Sequence, residues 1–137
     1  LPLFDDYGHH PNEVAAVLST LRNTFVTNRL VVIFQPHRFS RTKDLFNEFV
    51  SCLSRVDVLI LLDIYPANEA PIHQVNSAAL ADSIRQRSSI DPIVLRNSAE
   101  ILDVLPNVVL AGDVLLTLGA GDVHKIPHQL IEHFGRQ

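Results

Sequence analysis

LVVIFQPHRFSRT, residues 30–42, opens with five apolar residues, three of them β-branched, and then turns abruptly into a polar, cationic segment. Apolar residues without alternation suit a strand covered on both faces in the middle of a parallel sheet. The spacing that follows is helical: Thr42 is the expected N-cap, Asp44 falls in the first turn, and Leu45, Phe46, Phe49, Val50 and Leu53 share an inward face. A buried strand, a polar loop and an amphipathic helix make one half of a βαβ unit. The rest of the chain repeats it.

Upstream, Leu1 to Phe4 reads as a clipped first strand, and Val14, Val17, Leu18, Leu21 and Phe25 form an apolar stripe on a helix that starts near Pro11 with Glu13 at its positive end. Downstream, Val56 to Tyr65, Pro92 to Leu95 and Val114 to Leu118 read as strands. Between them Ser77 is the expected cap of a helix running through Arg85, and Ser98 of a short one with Glu100 in its first turn. A last helix carries Ile126, Leu130, Ile131 and Phe134 up to Gly135 as its stop. The predicted fold class is α/β, a three-layer Rossmann-like sandwich with a mostly parallel sheet, built as one domain over residues 1–137.

Composition sets the boundaries. A chain of 137 residues with 47% hydrophobic and 19% charged residues can bury a single core and lies far from the composition of disordered segments. A net charge of -4 supplies no positive field for nucleic acid or an anionic membrane, so neither partner is expected. No apolar run exceeds five residues, against about 20 for a spanning helix. The single cysteine, Cys52, is expected as a buried filler and points to no oxidising compartment, so a cytoplasmic setting is expected. A start at Leu1 and the lack of any Met or Trp suggest a piece of a longer chain.

In such sheets ligands bind beyond the carboxyl ends of the strands, and four polar clusters fall there. In the first, Asp5 and Asp6 precede Tyr7, Gly8, His9 and His10; it suits a nucleotide- or substrate-contacting loop, an N-cap imidazole on a solvated loop, or a metal centre. Asp6 could accept from ribose hydroxyls, and His9 or His10 could donate to an anion. In the second, His37, Arg38 and Arg41 gather cationic donors where helical amides also favour anions, so a carboxylate or phosphate is the expected guest, with a pair of solvated or salt-bridged loop arginines as the alternative. The third, Asp63 to Pro71, contains Tyr65 and Glu69, whose carboxylate suits a ligand or water equally. In the fourth, Gly119 and Gly121 could bring backbone close to a phosphate, but position 124 is His, so the dinucleotide fingerprint is incomplete. No Walker A loop, Gly-x-Ser-x-Gly elbow or His-Glu-x-x-His pair is present.

The segments DDYGHHPNE at 5–13, FQPHRFSRT at 34–42, DIYPANEAPI at 63–72 and GAGDV at 119–123 resemble the C-terminal domain of the Mur ligases, within them the group that adds L-alanine to UDP-N-acetylmuramate. The resemblance implies ATP- and Mg2+-dependent activation of the muramate carboxylate as an acyl phosphate, attack by the alanine amine, and a place in peptidoglycan synthesis in the bacterial cytoplasm. It also implies that an N-terminal UDP-sugar domain and a central P-loop domain, with the main ATP and Mg2+ ligands, lie outside these residues, so that this chain alone is inactive. Carried over by position, Asp6 faces the ATP ribose and Tyr7, His9 and His10 share its loop. His37, Arg38 and Arg41 meet the alanine carboxylate and the phosphate region, and Gly119 to Asp122 border the cleft. No role carries over to Glu69, and Asn12 and Ser40 depart from the family pattern outside these roles. Two rival readings stand beside this one: a metal-dependent phosphoesterase built on Asp5, Asp6, His9, His10 and His37, and a nucleotide-binding regulatory module.

Overall fold

Leu30–Phe34 is buried at every position because its alternate side chains enter two different cores. Leu30, Val32 and Phe34 face one, and Val31 and Ile33 the other. The computed structural model describes residues 2–134. Leu1, Gly135 and the side chain of Phe134, each given a role by the sequence reading, lie outside it.

The elements alternate as expected: β1 Leu3–Asp6, α1 Pro11–Thr24, β2 Leu30–Phe34, α2 Phe39–Asp44, α3 Phe46–Leu53, β3 Val58–Leu62, α4 Ser77–Arg87, β4 Ile93–Leu95, α5 Ser98–Val108, β5 Val114–Leu118, a 3-10 turn Asp122–Lys125, and α6 Ile126–Phe134. The sheet runs β1-β5-β2-β3-β4 and every pairing is parallel. Helices α1, α3 and α4 cover one face through residues such as Leu18, Phe49 and Ile84. Helices α5 and α6 cover the other through Ile101, Leu105, Ile126 and Leu130. This is the three-layer sandwich, and each fully buried aliphatic side chain contributes about 1.5–3 kcal/mol to holding it.

Chain ends of several elements differ from the sequence reading, and hydrogen bonds explain why. The helix after β2 starts at Phe39, with Arg38 as its cap at φ 76°. Thr42, expected as the cap, is fully buried inside that helix and donates its hydroxyl to the Arg38 carbonyl at 2.8 Å. Asp44 accordingly ends α2, and α3 restarts after Leu45. Asn76 caps α4, its side chain accepting from the Ala79 amide at 2.8 Å, while Ser77 is buried and donates to the Leu62 carbonyl. Asn97 caps α5 in place of Ser98, accepting from the Glu100 amide at 3.2 Å. Ile131 leaves the predicted stripe: it is 61% exposed. Cys52 is buried, and burial pushes its thiol pKa up to about 11.

Candidate functional site

Because β5 lies between β1 and β2, the loop at 119–121 is held between the loops that follow Asp6 and Phe34. Gln35 ties them together. Its amide donates to the Leu118 carbonyl at 3.0 Å, its Nε2 to the Asp63 carbonyl at 3.1 Å, and its Oε1 accepts from the Val123 amide at 2.9 Å. A polar residue that ends an all-apolar strand was the one sign of this role, and the sequence reading passed over it. Gly119, at φ +143°, donates to the Asp6 carbonyl, and a Cβ there would come within 2.8 Å of the Gln35 carbonyl oxygen. A Cβ on Gly121 would come within 2.7 Å of the Tyr65 ring. Both glycines therefore answer first to protein neighbours.

The residues of the first cluster part company. Strand alternation sends neighbouring side chains to opposite faces: Asp5 accepts from the Thr117 hydroxyl at 2.6 Å, and Asp6 uses Oδ1 to accept from the Gly8 amide at 2.7 Å. His10 caps α1. Its Nδ1 accepts from the Asn12 amide at 3.3 Å, and its own amide donates to Glu13 Oε1 at 3.1 Å, a bond that holds the Glu13 carboxyl below its usual pKa. His10 is thus the N-cap imidazole of the alternatives. His9 Nδ1 lies 3.1 Å from the Tyr7 carbonyl, and the Tyr7 ring, 61% exposed, lies 5.3 Å from the ring of His124. His124 is a neighbour that the sequence reading counted only as a missing glycine.

Across the edge, the His37 ring stands 5.8 Å from that of His9 and stacks on Tyr65 at 5.4 Å and 13°. Arg41 Nη1 donates to both Nδ1 and the carbonyl oxygen of His37, each at 3.1 Å. Burial, together with the Arg41, His9 and Arg38 charges, pulls the His37 pKa below its ordinary value. Arg38 is exposed, and among the described residues no carboxylate pairs with Arg38 or Arg41.

An internal carboxylate occupies the Ser40 amide in the first turn of α2. Glu69 accepts from the Ser40 amide at 3.0 Å and from the Ser40 hydroxyl, and these bonds, the hydroxyl first, hold its pKa down. Its loop turns through left-handed backbone at Ala67 and Asn68 to deliver it. An exogenous anion is left with the two guanidinium groups. Among the described residues no group of three or more His, Cys, Asp or Glu converges on one point.

Residues 1–121 match the family described as "Mur ligase, glutamate ligase domain". The UDP-N-acetylmuramate--L-alanine ligase of Vesicomyosocius okutanii is 60% identical over 130 residues, and that of Methylococcus capsulatus 54% over 133; the matches cover 95% and 97% of this chain. The chain spans 28% of the length of each. The crystal structure of a UDP-N-acetylmuramate-alanine ligase from Thermotoga maritima superposes with a TM-score of 0.72 at 24% identity, covering 98% of this chain and 26% of that one. With a match over most of its length and the same fold in a solved relative, the chain belongs to the Mur ligase family, as its C-terminal, glutamate ligase domain.

Proposed function

We propose that the chain is the amino-acid-binding and nucleotide-facing domain of a cytoplasmic bacterial ligase that joins L-alanine to UDP-N-acetylmuramate in peptidoglycan synthesis. The observation that carries this reading is a pair of guanidiniums, Arg38 and Arg41, that no carboxylate pairs with among the described residues, on the same sheet edge as Asp6. It is supported by the names of the curated relatives. In the reaction ATP gives its terminal phosphoryl group to the muramate carboxylate and leaves as ADP. The alanine amine then attacks the acyl carbon, phosphate departs and a proton is lost.

This chain's part is positioning. Arg41, with Arg38 beside it, takes the alanine carboxylate and turns the amine toward the acyl carbon, which converts a bimolecular encounter into an oriented one. His9 and His37 border that position, and His10 holds the loop by capping α1. Asp6 Oδ2 accepts from the ribose hydroxyls of ATP, with Tyr7 alongside and Gly119 and Gly121 shaping the edge of the cleft. The sequence contains no Walker A loop, and in this reading the main ATP and Mg2+ ligands belong to the rest of the ligase, with the P-loop in its central domain.

Grafting this chain in place of the matching stretch of the Vesicomyosocius okutanii relative tests the reading. The chimera is expected to incorporate labelled L-alanine into UDP-N-acetylmuramate when ATP and Mg2+ are supplied, and the 137-residue chain alone to incorporate none. A folded chimera that prefers another amino acid, or product from the isolated chain, overturns it.

A further inference from the structure

Tyr65 has no part in the reading above, yet three loops meet on its ring. Beyond the ends of β2 and β3 the backbone continues as an isolated bridge between His37 and Tyr65: the Arg38 amide donates to the Tyr65 carbonyl and the Tyr65 amide to the Pro36 carbonyl, both at 2.8 Å. That bridge sets the two rings parallel, at 13°. Gly121 backs the Tyr65 ring so closely that a side chain there would collide with it. On its far side, His37 offers Nδ1 and its carbonyl oxygen to one nitrogen of Arg41.

Nη1 is turned to the two His37 acceptors. Nε and Nη2 have no acceptor among the described residues, and these two form the side-on edge that grips a carboxylate with parallel bonds. For Nδ1 to accept, the imidazole must be neutral with its proton on Nε2. We propose that Tyr65 and His37 form a positioning stack, backed by Gly121, that aims the Nε and Nη2 edge of Arg41 at the carboxylate of the incoming amino acid. The stack rests on the amino-acid-binding reading of Arg41 and assigns His37 a role through Arg41 in place of direct contact.

The test uses the active chimera and reads KM for L-alanine against KM for ATP. Tyr65→Leu removes the flat ring and is expected to raise alanine KM by about ten- to a hundredfold, the scale of a misplaced substrate-orienting group, with ATP KM unchanged. Tyr65→Phe, which restores the ring, recovers most of the loss. His37→Phe keeps a ring against Tyr65 but lacks the acceptor, so alanine KM rises likewise, and His37→Asn, which returns an acceptor near the position of Nδ1, recovers it in part. Should Tyr65→Leu fail to melt cooperatively, the His37 pair decides. Unchanged alanine KM in both His37 variants, or equal rises for alanine and ATP, overturns the stack. A wild-type chimera that ligates no alanine fails the functional reading and takes the stack down with it.

Discussion

Arg41 and His37 show how shared hydrogen bonds divide duties between a cation and a neutral imidazole. Replacing Arg41 by Lys keeps the charge and loses the planar fork. Charge-assisted hydrogen bonds worth about 1.5–3 kcal/mol disappear from the bound amino acid, so alanine KM in the active ligase is expected to rise roughly ten- to over a hundredfold. The cost to folding is smaller, below about 1.5 kcal/mol, because only the half-buried bonds to His37 are lost from the protein itself. Kinetics beside thermal melting separate the two effects, and unaltered kinetics would reduce Arg41 to a surface cation. His37 adds a pH dependence. Its folded pKa is lowered by burial and by the Arg41, His9 and Arg38 charges, with Glu69 opposing them and Tyr65 stacked against the ring. The neutral, accepting imidazole is therefore fully present above the ordinary pKa of about 6.5 and is lost as pH falls through the lowered folded value. Alanine KM should climb in acid below about 6.5 as the imidazole protonates, and an acid limb that persists unchanged in His37→Asn would contradict it.

At the scale of elements, the helix starts matter most, because they set where each loop stops. His10, Asn76 and Asn97 each sit one residue before a helix and accept from an amide of its first turn. Asn97→Ala is expected to lower unfolding free energy by about 1 kcal/mol, whereas Ser98→Ala should stay within about 0.5 kcal/mol of wild type. Urea denaturation of both variants checks this, and the reverse ranking would return the cap to Ser98. Helix α2 follows a different logic: its first turn is held by Glu69 from the loop that follows β3. Loss of that carboxylate would loosen two loops of the site together.

For the molecule as a whole, the ends of the sheet are divided between function and fastening. Opposite the polar edge, Arg29 reaches Asp113 through Nε at 3.0 Å and Nη2 at 2.7 Å and also donates to the Val108 carbonyl, joining the starts of β2 and β5 to the end of α5. Asp113 is 2% exposed, and the guanidinium holds its pKa below the carboxylate range. A depressed carboxylate contributes stability above its unfolded pKa, about 3.9, and loses that contribution as pH falls through the lower folded value. Asp113→Asn is expected to cost about 1.5–3 kcal/mol at pH 7 and to flatten the acid limb of the stability curve. Denaturant melts across pH 2 to 7 would show it, and an unchanged acid limb would mean that other carboxylates govern acid unfolding.

Much of this was legible in order along the chain. Unbroken apolar runs such as Leu30–Phe34 and Val58–Leu62 can only be strands covered on both faces, and the helical stripes between them supply the covers, so the layered α/β fold follows from periodicity alone. Polar residues at the carboxyl ends marked the site edge, and Arg38, Arg41 and Asp6 were marked by chemistry. Strand order was not legible, because nothing local tells β5 to enter between β1 and β2; that choice depends on how the two cores close. Nor could the sequence pair Glu69 with Ser40, or Tyr65 with His37 and Gly121, since those contacts join loops 28 residues or more apart. Local sequence determines which residues reach the edge, while tertiary packing decides which of them are consumed as partners of one another and which are left for a ligand.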